Sequence, residues 1–284
     1  MMKKQFVSMA IAVMAITILS AGQSYGGTLL FGVYTSDKPT VMYQKFKSII
    51  DYLQEELQDK GAPTEIKIKI YPAYEAAIDG LAAREYDFAR FGPASYIIAK
   101  RRAPNIKLLV MEHKKLKKRF NGVFITHKAS PLQSIAELKG KTFAFGNRNS
   151  TIGRYLSQAE MVKAGVKAGD LMSFRYLGRH DKVALAVSAG NYHAGVVKEN
   201  TYIKYAQSKN LKTIGKFPNV TKPWVVREGF DERLYLLLQN ALLKLKDKKI
   251  LKNLKQDGFL KADDSDYDFV RQGIDLSKQF GNTE

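Results

Sequence analysis

Apolar and polar positions along the chain predict short strands separated by longer helices. Residues 28–34 form an apolar run of strand length, and residues 39–59 carry apolar side chains at the spacing of one helical face. Ile66, Ile68 and Ile70 then alternate with lysines, which is the two-residue period of a half-buried strand. The order that follows, β-α-β-α-β-α-β, favours a parallel sheet with helices on its faces.

A second unit with the same alternation follows a basic cluster at residues 114–119. Its predicted strands are 122–126, 141–146, 174–177, 194–197 and 211–217, and its predicted helices are 131–138, 151–164, 181–189 and 199–208. Helical spacing returns at residues 231–246 and 266–280. We therefore expect an α/β protein of two lobes with parallel-rich sheets. The first lobe would comprise residues 28–119 and 218–284, and the second residues 120–217.

The first 27 residues have the features of a secretory signal peptide. Lys3 and Lys4 precede an apolar run from Phe6 to Leu19, and small residues follow that run. A membrane anchor is the competing interpretation, but the run is shorter than the roughly 20 residues that cross a bilayer. No cysteine follows the run, so the sequence lacks the attachment point of a bacterial lipoprotein. We expect residues 1–27 to direct export to the periplasm.

The composition limits the classes of partner and of chemistry. The 46 Lys and Arg outnumber the 27 Asp and Glu, and the net charge of +19 suits nucleic acid, an acidic surface or small anions. Export argues against nucleic acid. The cluster at residues 114–119 also lacks interleaved aromatics, so we expect it to be a solvated loop or helix face. Without cysteine and with four histidines, the sequence predicts neither a thiolate metal site nor a cofactor.

Two segments suit an anion site in the cleft between the lobes. In open α/β sheets, ligands bind at the carboxyl ends of strands, where the N–H groups of helix N-termini attract anions. Residues 91–96 join a strand to a helix in the first lobe and offer the hydroxyls of Ser95 and Tyr96. Residues 145–153 do the same in the second lobe. Capping a helix is the commoner role of Ser and Thr, but the corresponding positions in both lobes favour a binding site.

At these residues the sequence resembles the phosphate, phosphite and phosphonate-binding proteins of bacterial ABC importers. The resemblance extends from Leu29 to about Phe280 and is most specific at residues 91–96, 146–153, 180–181 and 190–195. It implies the type II periplasmic binding protein fold, in which two lobes close over a tetrahedral oxyanion. It also implies an ABC permease of the inner membrane as the partner and a protein that acts as a monomer.

The resemblance assigns roles to particular residues. In the family a Ser-Thr-Ser helix start, a tyrosine and a histidine hold the oxyanion, and these roles fall on Ser150, Thr151, Tyr96 and His180. Tyr34 matches an aromatic residue that lines the cleft. The predicted ligand-binding set is completed by neighbours in the same segments, Ser95, Asn149 and Asp181. The alternative interpretations are packed aromatics for Tyr34 and Tyr96 and helix-start positions for the others.

The chain departs from the family pattern at two positions. Ile152 stands where a second serine is usual, so one hydroxyl is missing. His193 stands where an aspartate is usual, and that acid can face the amine of an aminophosphonate. These departures favour a small anion or one with an uncharged tail, such as phosphite, phosphate or a simple phosphonate.

An enzyme is the alternative from a different functional class. The sequence has no Gly-x-Ser-x-Gly elbow and no Walker or dinucleotide glycine pattern. His180 and Asp181 are neighbours in sequence, and such neighbours rarely face each other as triad members do. A secreted hydrolase is therefore disfavoured, and we expect a binding protein that delivers its ligand to an importer. A periplasmic sensor for a membrane receptor stays open, because the same fold serves both roles.

Overall fold

The computed structural model describes residues 27–35, 39–62 and 64–281. The predicted signal peptide, residues 1–27, lies outside these ranges except for Gly27, with which the first strand begins. Within them the strands are β1 (Gly27–Tyr34), β2 (Thr64–Tyr71), β3 (Phe88–Arg90), β4 (Lys107–His113), β5 (Arg119–His127), β6 (Thr142–Phe145), β7 (Ser173–Tyr176), β8 (Ala194–Lys198), β9 (Leu211–Val220), β10 (Pro223–Val226) and β11 (Gly258–Leu260).

The helices of these ranges flank the strands. They are α1 (Pro39–Asp59), α2 (Tyr74–Ala82), α3 (Pro93–Arg102), α4 (Leu156–Lys163), α5 (His180–Ser188), α6 (Glu199–Tyr205), α7 (Glu232–Lys244), α8 (Lys248–Leu251) and α9 (Asp268–Ser277). None of these helices combines the length and the hydrophobicity that a membrane span requires.

The strands form two mixed sheets, so the predicted two-lobed α/β architecture is confirmed. The first sheet has the order β11-β4-β10-β3-β1-β2, and the second has the order β7-β6-β8-β5-β9. Strand β1 is parallel to β2 and β3, and β6 is parallel to β7 and β8. Strand β10 runs antiparallel between β3 and β4. The β-α alternation did not predict β10, because this strand is the return segment from the second lobe and follows no helix.

The two crossings between the lobes lie side by side. The N–H of Thr221 donates to the carbonyl of Lys118 at 2.9 Å, and the N–H of Glu112 donates to the carbonyl of Lys222 at 3.0 Å. The basic cluster at residues 114–119 forms a tight turn just before the first crossing, with Lys115 and Leu116 in the left-handed backbone region. The cluster is therefore a turn beside the hinge, as the loop alternative predicted.

Several predicted element boundaries differ from the structure. The predicted helix at residues 131–138 is reduced to a single 3₁₀ turn, Ala136–Leu138. The predicted helix at residues 151–164 begins as one turn of π-helix, Thr151–Tyr155, before α4 continues it. Strand β11 and helix α8 were not predicted, since each has no more than four residues and carries no clear hydrophobic period.

The C-terminal helix α9 contacts both lobes. Arg101 of α3 pairs with Asp275 of α9 at 2.9 Å, which ties α9 to the first lobe. On its other side α9 packs on α4, and a Cβ atom at Gly273 would lie 2.3 Å from Cδ2 of Leu156. The buried face of α9 thus covers helices that belong to both lobes.

An aromatic cluster around Trp224 forms one core of the first lobe. The Trp224 ring stacks on Phe31 at 4.8 Å between centroids, and Phe46 and Phe259 meet it edge to face. All four side chains are buried, three of them completely. Because interiors are close-packed, the loss of one ring from this cluster leaves a cavity that neighbours fill only in part.

Replacing Phe31 with Ala should lower the free energy of unfolding by about 3 to 5 kcal/mol, since a buried ring is lost and a cavity remains. Urea denaturation followed by circular dichroism measures this change. The control is Ile203→Ala, because Ile203 is 67% exposed and its truncation should change stability by less than about 0.5 kcal/mol. Equal effects of the two substitutions would contradict the assignment of this core.

Candidate functional site

In the first lobe, the hydroxyl of Tyr34 lies at the end of β1 and beside the start of α3. It accepts hydrogen bonds from the N–H of Gly92 at 2.6 Å and from Oγ of Ser95 at 3.3 Å. A Cβ atom at Gly92 would lie 2.9 Å from this hydroxyl, so glycine permits the close approach. Burial raises the pKa of Tyr34, and the phenol therefore keeps its proton.

In the second lobe, Ser150 caps the helical segment that leads into α4. Its Oγ accepts a hydrogen bond from the N–H of Gly153 at 3.0 Å. Gly146 and Gly153 are in backbone contact, because a Cβ atom on either would lie 2.9 Å from the Cα of the other. This contact holds the end of β6 against the helix start and fixes the position of Ser150.

A hydrogen bond joins the two lobes at Thr151. Its Oγ1 accepts from the N–H of Ala94, in the first turn of α3, at 2.9 Å. The position that a Cβ atom of Gly92 would occupy lies 2.9 Å from the Tyr34 hydroxyl, 3.7 Å from Thr151 Oγ1 and 3.9 Å from Ser95 Oγ. The structure thus brings predicted site residues from both lobes to one point.

The hydroxyls of Tyr34, Ser150 and Thr151 share one hydrogen-bonding pattern. Each accepts a hydrogen bond from a backbone N–H group. A hydroxyl that accepts in this way retains its own proton for another acceptor. Because two of the N–H groups belong to the start of α3, the positive end of that helix polarises two of these hydroxyls. The arrangement suits a ligand that carries several acceptor oxygens.

His180, the first residue of α5, contributes a buried ring nitrogen. No described residue forms a hydrogen bond with its Nδ1 atom, which is shielded from solvent. The ring lies beside Gly146, where a Cβ atom would come within 3.7 Å of Nδ1. Burial, together with the charges of Lys198 and Lys222, lowers the pKa of His180 to about 3. The imidazole is therefore neutral at physiological pH.

Some of these residues border a cleft of about 810 Å³ between the lobes. Ser150, His180 and Asp181 line it from the second lobe. Tyr74 lines it from the first lobe and stacks on Tyr34 with 3.7 Å between ring centroids. The carboxyl end of β8 and the start of α5 meet this cleft, which is the location that ligands occupy in open α/β sheets.

Three of the predicted site residues make other contacts. The hydroxyl of Tyr96 donates to Asp264 at 2.5 Å, which directs it towards the C-terminal segment and away from the Tyr34 hydroxyl. Asn149 donates to Glu75 across the lobes at 3.4 Å. Asp181 lines the cleft but forms an ion pair with Arg179 at 2.7 Å, which holds the pKa of this carboxyl below its ordinary value. Tyr96 is therefore not part of the group that the structure assembles.

The two departures from the family pattern lie outside the cleft lining. Ile152 is buried and packs in the core. His193 precedes β8, where its Nδ1 contacts the N–H of Thr142 at 3.1 Å and the threonine hydroxyl at 2.8 Å. It is thus at the opposite end of β8 from Lys198, which does line the cleft. The position of His193 therefore gives no support to any particular tail on the ligand.

Sequence reasoning missed the lysines and one tyrosine of the cleft. Lys45 on α1, Tyr74 at the start of α2 and Lys198 at the end of β8 all line it. Lys198 carried a usable signal, because it stands at the junction of a predicted strand and helix. Lys45 carried none, since its position on the cleft side of α1 depends on how that helix packs.

Comparisons with known proteins point to one family. The sequence model of a family described as "ABC transporter, phosphonate, periplasmic substrate-binding protein" matches residues 31–267. A curated relative is the probable ABC transporter phosphite binding protein PhnD1 of Prochlorococcus marinus (strain MIT 9301). It is 27% identical over 288 residues, which cover 88% of this chain and 96% of the relative.

Solved structures are similar over nearly the same extent. PhnD1 from Prochlorococcus marinus (MIT 9301) in complex with methylphosphonate has a TM-score of 0.75 and 23% identity, covering 89% of this chain and 98% of its own. XAC2383 from Xanthomonas citri bound to chloride ion has a TM-score of 0.77 and 20% identity, with coverages of 89% and 98%. At these identities the likeness establishes the fold, which is that of type II periplasmic binding proteins.

The ring of His180 should stay neutral in the ligand-free protein between pH 7.5 and about pH 4.5, because its lowered pKa of about 3 lies below that range. Two-dimensional NMR of the imidazole nitrogens measures the protonation state. The His180→Gln variant identifies the signal by its loss. A titration midpoint near the ordinary value of about 6.5 would contradict the burial of this ring.

Proposed function

The chain belongs to the family of periplasmic substrate-binding proteins of phosphonate ABC transporters, and we propose that its cleft captures a phosphorus oxyanion for import. The family is one of binding proteins and not of enzymes. Membership implies a phosphonate-type ligand and a permease as partner. We assign the ligand contacts to Tyr34, Ser150, Thr151 and His180, with Ser95 supporting the Tyr34 hydroxyl.

The observation that carries this proposal is the shared hydrogen-bonding pattern of three hydroxyls. Tyr34, Ser150 and Thr151 each accept from a backbone N–H group and retain a proton to donate. A phosphonate, phosphite or phosphate group offers several acceptor oxygens in a tetrahedral arrangement, which matches donors that converge from two lobes. The curated relative is named as a phosphite binding protein, and the similar solved structure holds methylphosphonate. Both names support the same class of ligand.

Lobe closure forms the complete site. The hydrogen bond from Ala94 to Thr151 exists only when the lobes are together, because its two atoms come from different lobes. Tyr34 approaches the anion from the first lobe, and Ser150 and His180 approach it from the second. A ligand that contacts both sides shifts the population towards the closed state by its extra affinity for that state.

The cellular setting completes the proposal. Residues 1–27 act as an export signal, and the mature chain works in the periplasm as a monomer. The closed, loaded protein docks on the permease of an ABC importer in the inner membrane. Nucleic acid is not a partner, and the positive charge serves anion capture and solubility.

Isothermal titration calorimetry of the purified mature protein tests the ligand class. We expect phosphite, methylphosphonate or phosphate to bind. Methanesulfonate is the matched control for methylphosphonate, because a sulfonate has the same shape and a smaller negative charge. Small-angle scattering should show a smaller radius of gyration with the ligand that binds most tightly. Absence of binding to all three phosphorus oxyanions would overturn the proposed function.

The Thr151→Val substitution should weaken binding of that ligand by roughly 10-fold to 150-fold. The change removes one hydrogen bond to a charged group, which contributes about 1.5 to 3 kcal/mol. Thr151→Ser keeps the hydroxyl and is the matched control, expected to bind within about threefold of the unmodified protein. Calorimetry measures both. Near-normal affinity of the valine variant would mean that Thr151 does not contact the ligand.

A further inference from the structure

The lining of the cleft is strongly cationic. Asp181 is the one carboxylate among the described residues that line it, and it is paired with Arg179. The cationic side chains of the lining come from both lobes: Lys45, Lys47, Arg179, Lys198, Lys204 and Lys255. A cleft of about 810 Å³ also leaves space beyond a single phosphorus group, since cavities of this size hold drug-sized ligands.

Four basic residues lie in or close to the cleft, and two of them, Lys45 and Lys198, line it. Lys45 and Arg90 belong to the first lobe, and both lie over the buried ring of Phe46, at 5.7 Å and 5.6 Å from its centroid. Lys198 comes from the second lobe, and Lys222 from the second crossing. Lys222 interacts electrostatically with each of the other three. We call Lys45, Lys198 and Lys222 the lysine cluster.

Glu112, a buried carboxylate that interacts with Lys222, is already paired. It accepts two hydrogen bonds from Arg90, at 2.7 Å and 3.0 Å, and one from the indole of Trp224 at 3.3 Å. Its charge is thus largely engaged by Arg90. Burial and the charge of Arg90 lower the pKa of Lys45 to about 7, and the same causes lower the pKa of Lys222.

Closure of the lobes brings basic side chains from both lobes to one cleft. Lys45 and Lys198 line it from different lobes, so an anion held between them interacts favourably with both. The hydroxyl donors and His180 account for one oxyanion, at the ends of β1 and β6. The lysine cluster is a second group of donors beside it.

We propose that the physiological ligand carries a second anionic group, such as a carboxylate, which the lysine cluster binds while the hydroxyls hold the phosphorus oxyanion. The inference rests on the proposed function and narrows its ligand to phosphonates with an acidic tail. It differs from the sequence-based expectation of a small anion or an uncharged tail. An aminated tail is the least compatible, because an ammonium group would face the lysine cluster.

A series of ligands with similar skeletons tests the proposal by calorimetry on the full mature protein. The probes are 3-phosphonopropionate, propylphosphonate and 2-aminoethylphosphonate, together with methylphosphonate. We expect 3-phosphonopropionate to bind at least about tenfold more tightly than propylphosphonate, because its carboxylate gains contacts with lysine side chains of opposite charge. We expect 2-aminoethylphosphonate to bind more weakly than propylphosphonate.

Two variants locate the effect in the lysine cluster. Lys45→Met should reduce the preference for 3-phosphonopropionate over propylphosphonate by about tenfold, and Lys198→Gln, from the other lobe, should reduce it in the same direction. The matched control is Lys60→Met, because Lys60 follows α1 at a distance of roughly 20 Å from Lys45 and should leave the preference unchanged. Melting temperatures verify that each variant is folded.

The outcomes separate the two proposals. If methylphosphonate binds but 3-phosphonopropionate binds no more tightly than propylphosphonate, the ligand does not need a second anionic group. That proposal is then wrong, and the proposed function stands. If none of the phosphorus compounds binds, the proposed function itself fails. A preference for 3-phosphonopropionate that survives in both Lys45→Met and Lys198→Gln would also overturn the assignment to the lysine cluster.

Discussion

Glu112 brings a carboxylate into the interior of the first lobe, where an ionised group is stable only when it is paired. Arg90 on β3 supplies the counter-charge from beyond β10, and Trp224 on β10 adds its indole N–H. The three residues lie on three neighbouring strands, so this buried pair fixes the return segment in the sheet. Loss of one partner of such a pair costs roughly 3 to 5 kcal/mol, because the other charge is left unpaired.

The chemistry of the cleft depends on this pairing. Lys222 directly precedes β10, and its carbonyl accepts from the N–H of Glu112. Strand β10, whose Trp224 also donates to Glu112, therefore sets the position of Lys222. The proposed site then has two means of anion recognition. Hydroxyls that accept from helix-start N–H groups give directional bonds, whereas lysines give charge without fixed geometry. The proposed ligand with two anionic groups would use both.

The local sequence pattern predicted features that short segments determine. It missed features that depend on long-range packing. The bounds of α1 followed from its helical spacing, and the segment that holds Ser150 and Thr151 followed from a predicted strand-to-helix junction. The roles of Tyr34, Ser150 and Thr151 came from the family resemblance. The direction of the Tyr96 hydroxyl depends on contact with Asp264, which is distant in sequence. The positions of β10 and of Lys45 likewise depend on how separate elements pack, and no local period in the chain encodes that.

The paired crossings restrict how the two lobes can move. Because the chain passes between the lobes as two adjacent strands joined by the bond from Thr221 to Lys118, the connection resists twisting more than bending. Helix α9 adds a third link, which packs on both lobes. The lobe opening proposed above would then be close to a motion with one degree of freedom. A single pair of fluorophores, one on each lobe, would report the whole transition, and this geometry suits the protein to use as an optical sensor of its ligand.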